Sequence, residues 1–156
     1  MSPMSERKIE VGTQITTQRR TITDGDFSGM VNLSWESAPI HTDDEYAKNT
    51  IFGRRVLGGP CTIPFVAGLS GLAWHGLWEK SGMRLLGLVG INNVAFKAPL
   101  FANDTIWVEL EIASKRPTSK PKRSIVTVKD TLKKQGGVTI LQMERVILVE
   151  DIDPTN

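Results

Sequence analysis

Thr62-Ile-Pro-Phe-Val-Ala-Gly-Leu-Ser-Gly-Leu-Ala-Trp-His-Gly-Leu-Trp-Glu79 reads as one long helix with no polar face. Ile63, Val66, Leu69, Leu72, Ala73, Trp74 and Leu77 fall all round the helical turn, and a helix that is apolar on every side is expected to be buried on every side. Gly58-Gly59-Pro60 leads into it, with proline tolerated near a helix start. Downstream the period changes to two. Ile106, Val108, Leu110 and Ile112 alternate with Trp107, Glu109 and Glu111, the pattern of a half-buried strand. Ser124 to Leu132 and Val138 to Val149 repeat it, and Leu85 to Phe96 offers a further strand. A buried helix followed by long antiparallel strands is an α+β pattern in which one sheet wraps one helix.

With 156 residues, the chain is expected to form a single domain over residues 1–156. Apolar residues make up 40% and charged residues 23%, which suits a soluble globular protein with a real core. A net charge of +2 is too small to argue for nucleic acid or an anionic membrane as partner. The single cysteine excludes an intrachain disulfide and is consistent with a reducing, cytoplasmic location. Met1 to Lys8 leads into no apolar segment, so a cleaved secretory signal is not expected. Val56 to Trp78 carries no fixed charge and is long enough to raise a membrane span. Gly58, Gly59, Pro60 and Pro64 spoil its first turns, so a buried core helix is the better reading.

Upstream, Gln14 to Ile22 reads as a first strand. Thr23-Asp-Gly-Asp26 has the form of a capping box and starts a helix that ends near Ser34. Then comes Ser34-Trp-Glu-Ser-Ala-Pro-Ile-His-Thr-Asp-Asp-Glu-Tyr-Ala47. Here Pro39 stiffens what reads as a non-helical turn, with Glu36 on one side and His41 on the other. An acid and an imidazole converging on one point are the parts of a general acid–base pair. The plainer reading is a helix-end charge for Glu36 and a turn histidine bonded to backbone for His41. Thr42-Asp-Asp-Glu45 is a second capping box for a short helix through Lys48, in which Asp43 steadies the turn as an N-terminal carboxylate.

Pro39-Ile-His41-Thr-Asp43 with Tyr46-Ala47 resembles the signature of the MaoC-like hydratases and dehydratases of acyl thioesters, including the (R)-specific enoyl-CoA hydratases. The resemblance extends in order to Thr21–Phe27, Phe52–Gly59, Phe96–Pro99, Asn103–Ile106 and Gln135-Gly136. It implies a hot-dog fold, an antiparallel sheet wrapped around a long central helix, and a homodimer. Three positions depart from the pattern. Glu36 stands where the family has aspartate, Ala38 where it has asparagine, and Gly58-Gly59 where a His-Gly pair is common. The family places the thioester carbonyl at the Gly59 position. A backbone N–H at a helix start, with no side chain in the way, can donate to an oxyanion.

Cys61 shares that helix start, where a thiolate would be favoured, although buried cysteine is usually inert packing. Trp35 could wall the pocket and limit the acyl group. Trp74 and Trp78 form a one-turn pair in the core or at a dimer contact, and His75 has no partner at a metal-ligand spacing. Lys115, Arg116, Lys120, Lys122 and Arg123 read as a solvated hairpin loop, with a phosphate-rich carrier such as coenzyme A as the alternative. No glycine-rich nucleotide loop is present.

The resemblance thus implies a hydratase or dehydratase interconverting enoyl-CoA and 3-hydroxyacyl-CoA. Glu36 and His41 would hold the water between them, and Gly59 would hold the oxyanion. The thioester itself supplies the α-acidity, so no cofactor is expected beyond the coenzyme A of the substrate. A hot-dog thioesterase is a second reading. A degenerate acyl-CoA-binding or structural protein is a third, supported by Ala38 and Gly58.

Overall fold

Residues 9–153 are described by a computed structural model. Six strands form one antiparallel sheet: β1 (Gln14–Thr16), β2 (Arg20–Thr21), β3 (Met83–Phe96), β4 (Thr105–Pro117), β5 (Arg123–Lys134) and β6 (Val138–Asp151). Their order is β1-β4-β5-β6-β3, with β2 also paired to β4. The helices are α1 (Asp24–Ser34), α2 (Pro39–Thr42), α3 (Asp44–Lys48), α4 (Ile63–Trp74) and α5 (Leu77–Lys80). Val66, Leu69 and Trp74 of α4 join Val108 and Leu110 of β4, Val128 of β5 and Leu141 and Met143 of β6 in one core. This is the hot-dog arrangement, a sheet curled round a central helix. Burying each large aliphatic side chain in it contributes about 1.5–3 kcal/mol.

The alternation in β4 to β6 emerges as expected, with inward residues buried. Trp107 points outward yet is buried, with Arg19 stacked 4.3 Å from its ring centre. The first strand is two short pieces rather than one. Thr17 explains the interruption: its Oγ1 accepts the Val108 N–H at 2.9 Å, taking a ladder position that a backbone carbonyl would hold.

The central helix is shorter than its sequence suggests. It stops at Trp74, and Gly76 at φ 71° turns the chain into α5. A left-handed residue cannot continue a right-handed helix, and Gly76 adopts that conformation without a Cβ penalty. Trp74 and Trp78 still meet, rings 5.5 Å apart, from two helices rather than one. Nor is α4 buried on every side. Pro64, Ala67, Gly68, Gly71 and Leu72 are not part of the buried face, and Leu72 is well exposed. Among the described residues, no helix is long and apolar enough to cross a membrane.

The strand β3 lies at the edge of the sheet and has three register irregularities, at Leu85/Gly87, Leu88/Gly90 and Asn92/Ala95. Bulges bend an edge and interrupt its template for pairing. Leu85, Leu86, Leu88, Val89, Val94 and Phe96 on it are all exposed.

Candidate active site

Glu36 is positioned by the end of α1. The helix starts as its sequence predicts, with Thr23 and Asp26 forming a reciprocal capping box. It ends at Trp35, which adopts the left-handed conformation (φ 60°, ψ 29°), and the Glu36 N–H returns to the Val31 carbonyl at 3.1 Å. Glycine usually takes this closing position, and a bulky residue there is strained. The turn carries Glu36 toward His41 while Trp35 points out, 88% exposed.

His41 is positioned by α2, which corrects the expectation of a non-helical turn. Ala38 is extended (φ −62°, ψ 137°), as the residue before a proline should be. From Pro39 the chain makes one helical turn, because proline at the first helical position lacks only an N–H that would be unpaired anyway. That turn shifts the next cap by one residue. Asp43, not Thr42, caps α3, accepting from the N–H groups of Glu45 and Tyr46, while Thr42 Oγ1 donates to the Ala38 carbonyl.

The two side chains meet directly. His41 Nε2 lies 2.9 Å from Glu36 Oε2, so the expected water cannot sit between them in line. His41 Nδ1 lies 2.6 Å from the Val56 carbonyl. A carbonyl only accepts, so Nδ1 carries a proton. The Nε2–Oε2 contact must then contain a proton as well, held by one partner or the other. Val56 is itself fixed, since its N–H bonds to the Ile40 carbonyl and the next N–H, of Leu57, to Leu100. His41 is thus both a backbone-bonded histidine and an imidazole facing a carboxylate.

His41 opens onto a cleft of about 380 Å³ lined by Ile40, Phe52, Val56, Gly58, Gly59, Thr62, Phe96 and Ile140, among others. Gly59 begins the helical turn Gly59–Thr62 that runs on into α4, so its N–H has no helical acceptor. A Cβ at Gly59 would come within 3.0 Å of the Phe96 ring. Trp35 does not line this cleft. It borders a separate shallow one with Val31, Asn32, Glu36, Ser37 and Thr42.

Cys61 is buried behind Glu36, its Sγ 3.6 Å from Oε1 and 3.2 Å from Ser34 Oγ. Burial pushes its thiol pKa up, with the nearby Glu36 charge adding to the shift. The position thus keeps a thiol, contrary to the thiolate that a helix start suggests. His75 closes α4 at the surface, and no cluster of three or more potential metal ligands occurs among the described residues.

The basic cluster from Lys115 to Arg123 lies at the wrong end of the sheet for this cleft. Pro117 pairs with Ser124 at one end of the β4–β5 ladder and Ile106 with Lys134 at the other, next to the cleft wall. A strand rises about 3.3 Å per residue, which separates the two ends by roughly 35 Å. Lys115 is instead ion-paired with Asp151.

Sequence reasoning gave Asp104 and Gln135 no role, yet they fix the far wall. Asp104 accepts from Phe101 N (2.9 Å), Lys134 Nζ (3.0 Å) and Gln135 Nε2 (2.5 Å), while Lys134 also donates to the Pro99 carbonyl. Both lie in stretches that carry the family resemblance, Asn103–Ile106 and Gln135-Gly136, although no role was read from them. A second unforeseen feature is the buried bidentate pair of Asp130 and Arg145, with both N–O distances 2.7 Å.

The description "MaoC like domain" matches residues 7–134. The protein MaoC of Klebsiella aerogenes is 34% identical over 118 residues, 75% of this chain but only 32% of that protein, so the chain spans about a third of it. An (R)-specific enoyl-CoA hydratase of Aeromonas caviae is 28% identical over 92% of this chain and 98% of its own length. The solved (R)-hydratase of A. caviae, described as involved in PHA biosynthesis, superposes with a TM-score of 0.67 at 27% identity, covering 89% of this chain and 96% of that one.

Proposed function

The chain belongs to the MaoC-like domain family, and on that premise we propose that it is a hydratase or dehydratase of acyl thioesters, interconverting enoyl-CoA and 3-hydroxyacyl-CoA. The observation that carries this reading is the direct Glu36–His41 contact of 2.9 Å at the edge of an apolar cleft. Hydration needs one proton taken from water as its oxygen attacks C3, and one delivered to C2. The pair has one proton in its contact, and Glu36 Oε1 keeps acceptor capacity beyond the long 3.6 Å contact from the Cys61 thiol. The pair therefore gives a proton to C2, takes one from water and returns to its starting state. His41 faces the cleft, and Glu36 meets it from behind while bordering the shallow pocket beside Trp35, so in this reading the water is taken up at the His41 side of the pair. Negative charge growing on the thioester oxygen is met by the Gly59 N–H.

The working form is a homodimer, supported by the exposed apolar residues of the β3 edge and the uncovered flank of α4. A reducing compartment such as the cytoplasm suits the free thiol of Cys61.

The test is absorbance at the enoyl-thioester band with crotonyl-CoA, followed by longer and branched substrates, with free thiol measured in parallel. Loss of the band without thiol release is expected. Thiol release would establish a thioesterase instead, and binding without any change would establish a non-enzymatic acyl-CoA-binding protein.

A further inference from the structure

Gly58 has no backbone reason to be glycine. Its φ of −57° and ψ of 138° suit any residue. The reason lies in what fills the space beside it. A Cβ on residue 58 would fall 2.5 Å from Glu36 Oε1, 2.6 Å from Cδ and 2.7 Å from Oε2. The carboxylate of Glu36 thus occupies the volume that a side chain at 58 would take. Its other neighbours are His41 on Oε2 and the Cys61 thiol near Oε1.

We propose that Gly58 and Glu36 are a size-matched pair, in which the missing side chain at 58 lets an acid as long as glutamate reach His41. Gly58 is a positioning residue, acting through Glu36. The clash falls on the mobile end of Glu36 rather than on backbone, so a methyl group at 58 is relieved by Glu36 swinging away. The fold survives, and the acid–imidazole contact does not. An aspartate at 36 is one carbon shorter and leaves room for that methyl group. This inference rests on the proposed hydratase reading, and its test is a double-mutant cycle with two readouts.

The parent, Gly58→Ala, Glu36→Asp and the double variant are compared by kcat on the best thioester. In parallel, the ring ¹⁵N shift of His41, assigned by its loss in His41→Ala, reports the contact without any substrate. Gly58→Ala should keep its melting temperature and lose about 100-fold in kcat, the scale expected for a group misplaced by about 1 Å. Its His41 resonance should move to that of Glu36→Gln. In the Glu36→Asp background the same alanine should cost less than about tenfold and leave the resonance in place. An alanine at 58 that costs the same in both backgrounds, or that leaves the parent His41 resonance unmoved, overturns the pairing. If no form, the parent included, hydrates any thioester, the hydratase reading falls and the resonances alone decide the pairing.

Discussion

At the scale of single residues, two carboxylates define how the molecule responds to substitution and to pH. Glu36 shares a proton with His41 in the 2.9 Å contact, so both should matter to turnover and neither to folding. Glu36→Gln and His41→Ala are each expected to lower kcat by about 10²–10⁴-fold while leaving ligand affinity nearly intact. On the proposed mechanism both act on one water, so the double variant should be little worse than either single one, a non-additivity that steady-state kinetics reads directly. Asp104 is the structural counterpart. Burial raises its carboxyl pKa, but the Phe101 N–H, Gln135 and Lys134 outweigh that and hold it below the ordinary value of 3.8. A depressed carboxylate contributes stability that is complete above the unfolded-state pKa and disappears as pH falls through the folded one. Acid unfolding monitored by circular dichroism should therefore be less steep in Asp104→Asn. That variant should also be less stable than the parent at neutral pH.

At the scale of elements, the decisive features are a break and a buried ion pair. α4 ends at Trp74 because Gly76 is left-handed, and the turn brings Trp78 back onto Trp74. On the facing sheet, Asp130 of β5 and Arg145 of β6 are buried within strands where apolar residues are the rule. Arg145 stands opposite Val128 and Asp130 opposite Met143, so they bond diagonally across the ladder. Removing one partner of a buried pair leaves the other charge unpaired, at a cost of about 3–5 kcal/mol. Asp130→Ala should lose stability on that scale in urea unfolding. Asp130→Leu combined with Arg145→Met removes both charges and should lose much less.

At the scale of the whole molecule, the sheet ends in short strands on the β1 side and in the long strand β3 on the other. Leu88 and Val89 are about half exposed on that outer strand. A second copy pairing there would cover both the strand edge and its apolar side chains. Sedimentation is expected to give a dimer at micromolar concentration, and Leu88→Asp with Val89→Asp should shift it toward monomer. A parent that sediments as a stable monomer would remove the dimer from the proposal.

By itself the sequence determined the α+β class, the inward and outward faces of β4 to β6, the cap at Thr23 and the residues of the acid–imidazole motif. Each of these is set by period or by neighbours a few residues away. The tertiary structure decided the rest. Pro39–Thr42 became helical because its proline fell at a first helical position, and the central helix was cut by a left-handed glycine whose conformation no local pattern reveals. The role of Gly58, the backing of Glu36 by Cys61, and the Asp104–Gln135 and Asp130–Arg145 pairs join residues 15 to 31 positions apart. Contacts at such separations leave no periodic trace in one sequence, because it is the curl of the sheet around α4 that brings them together.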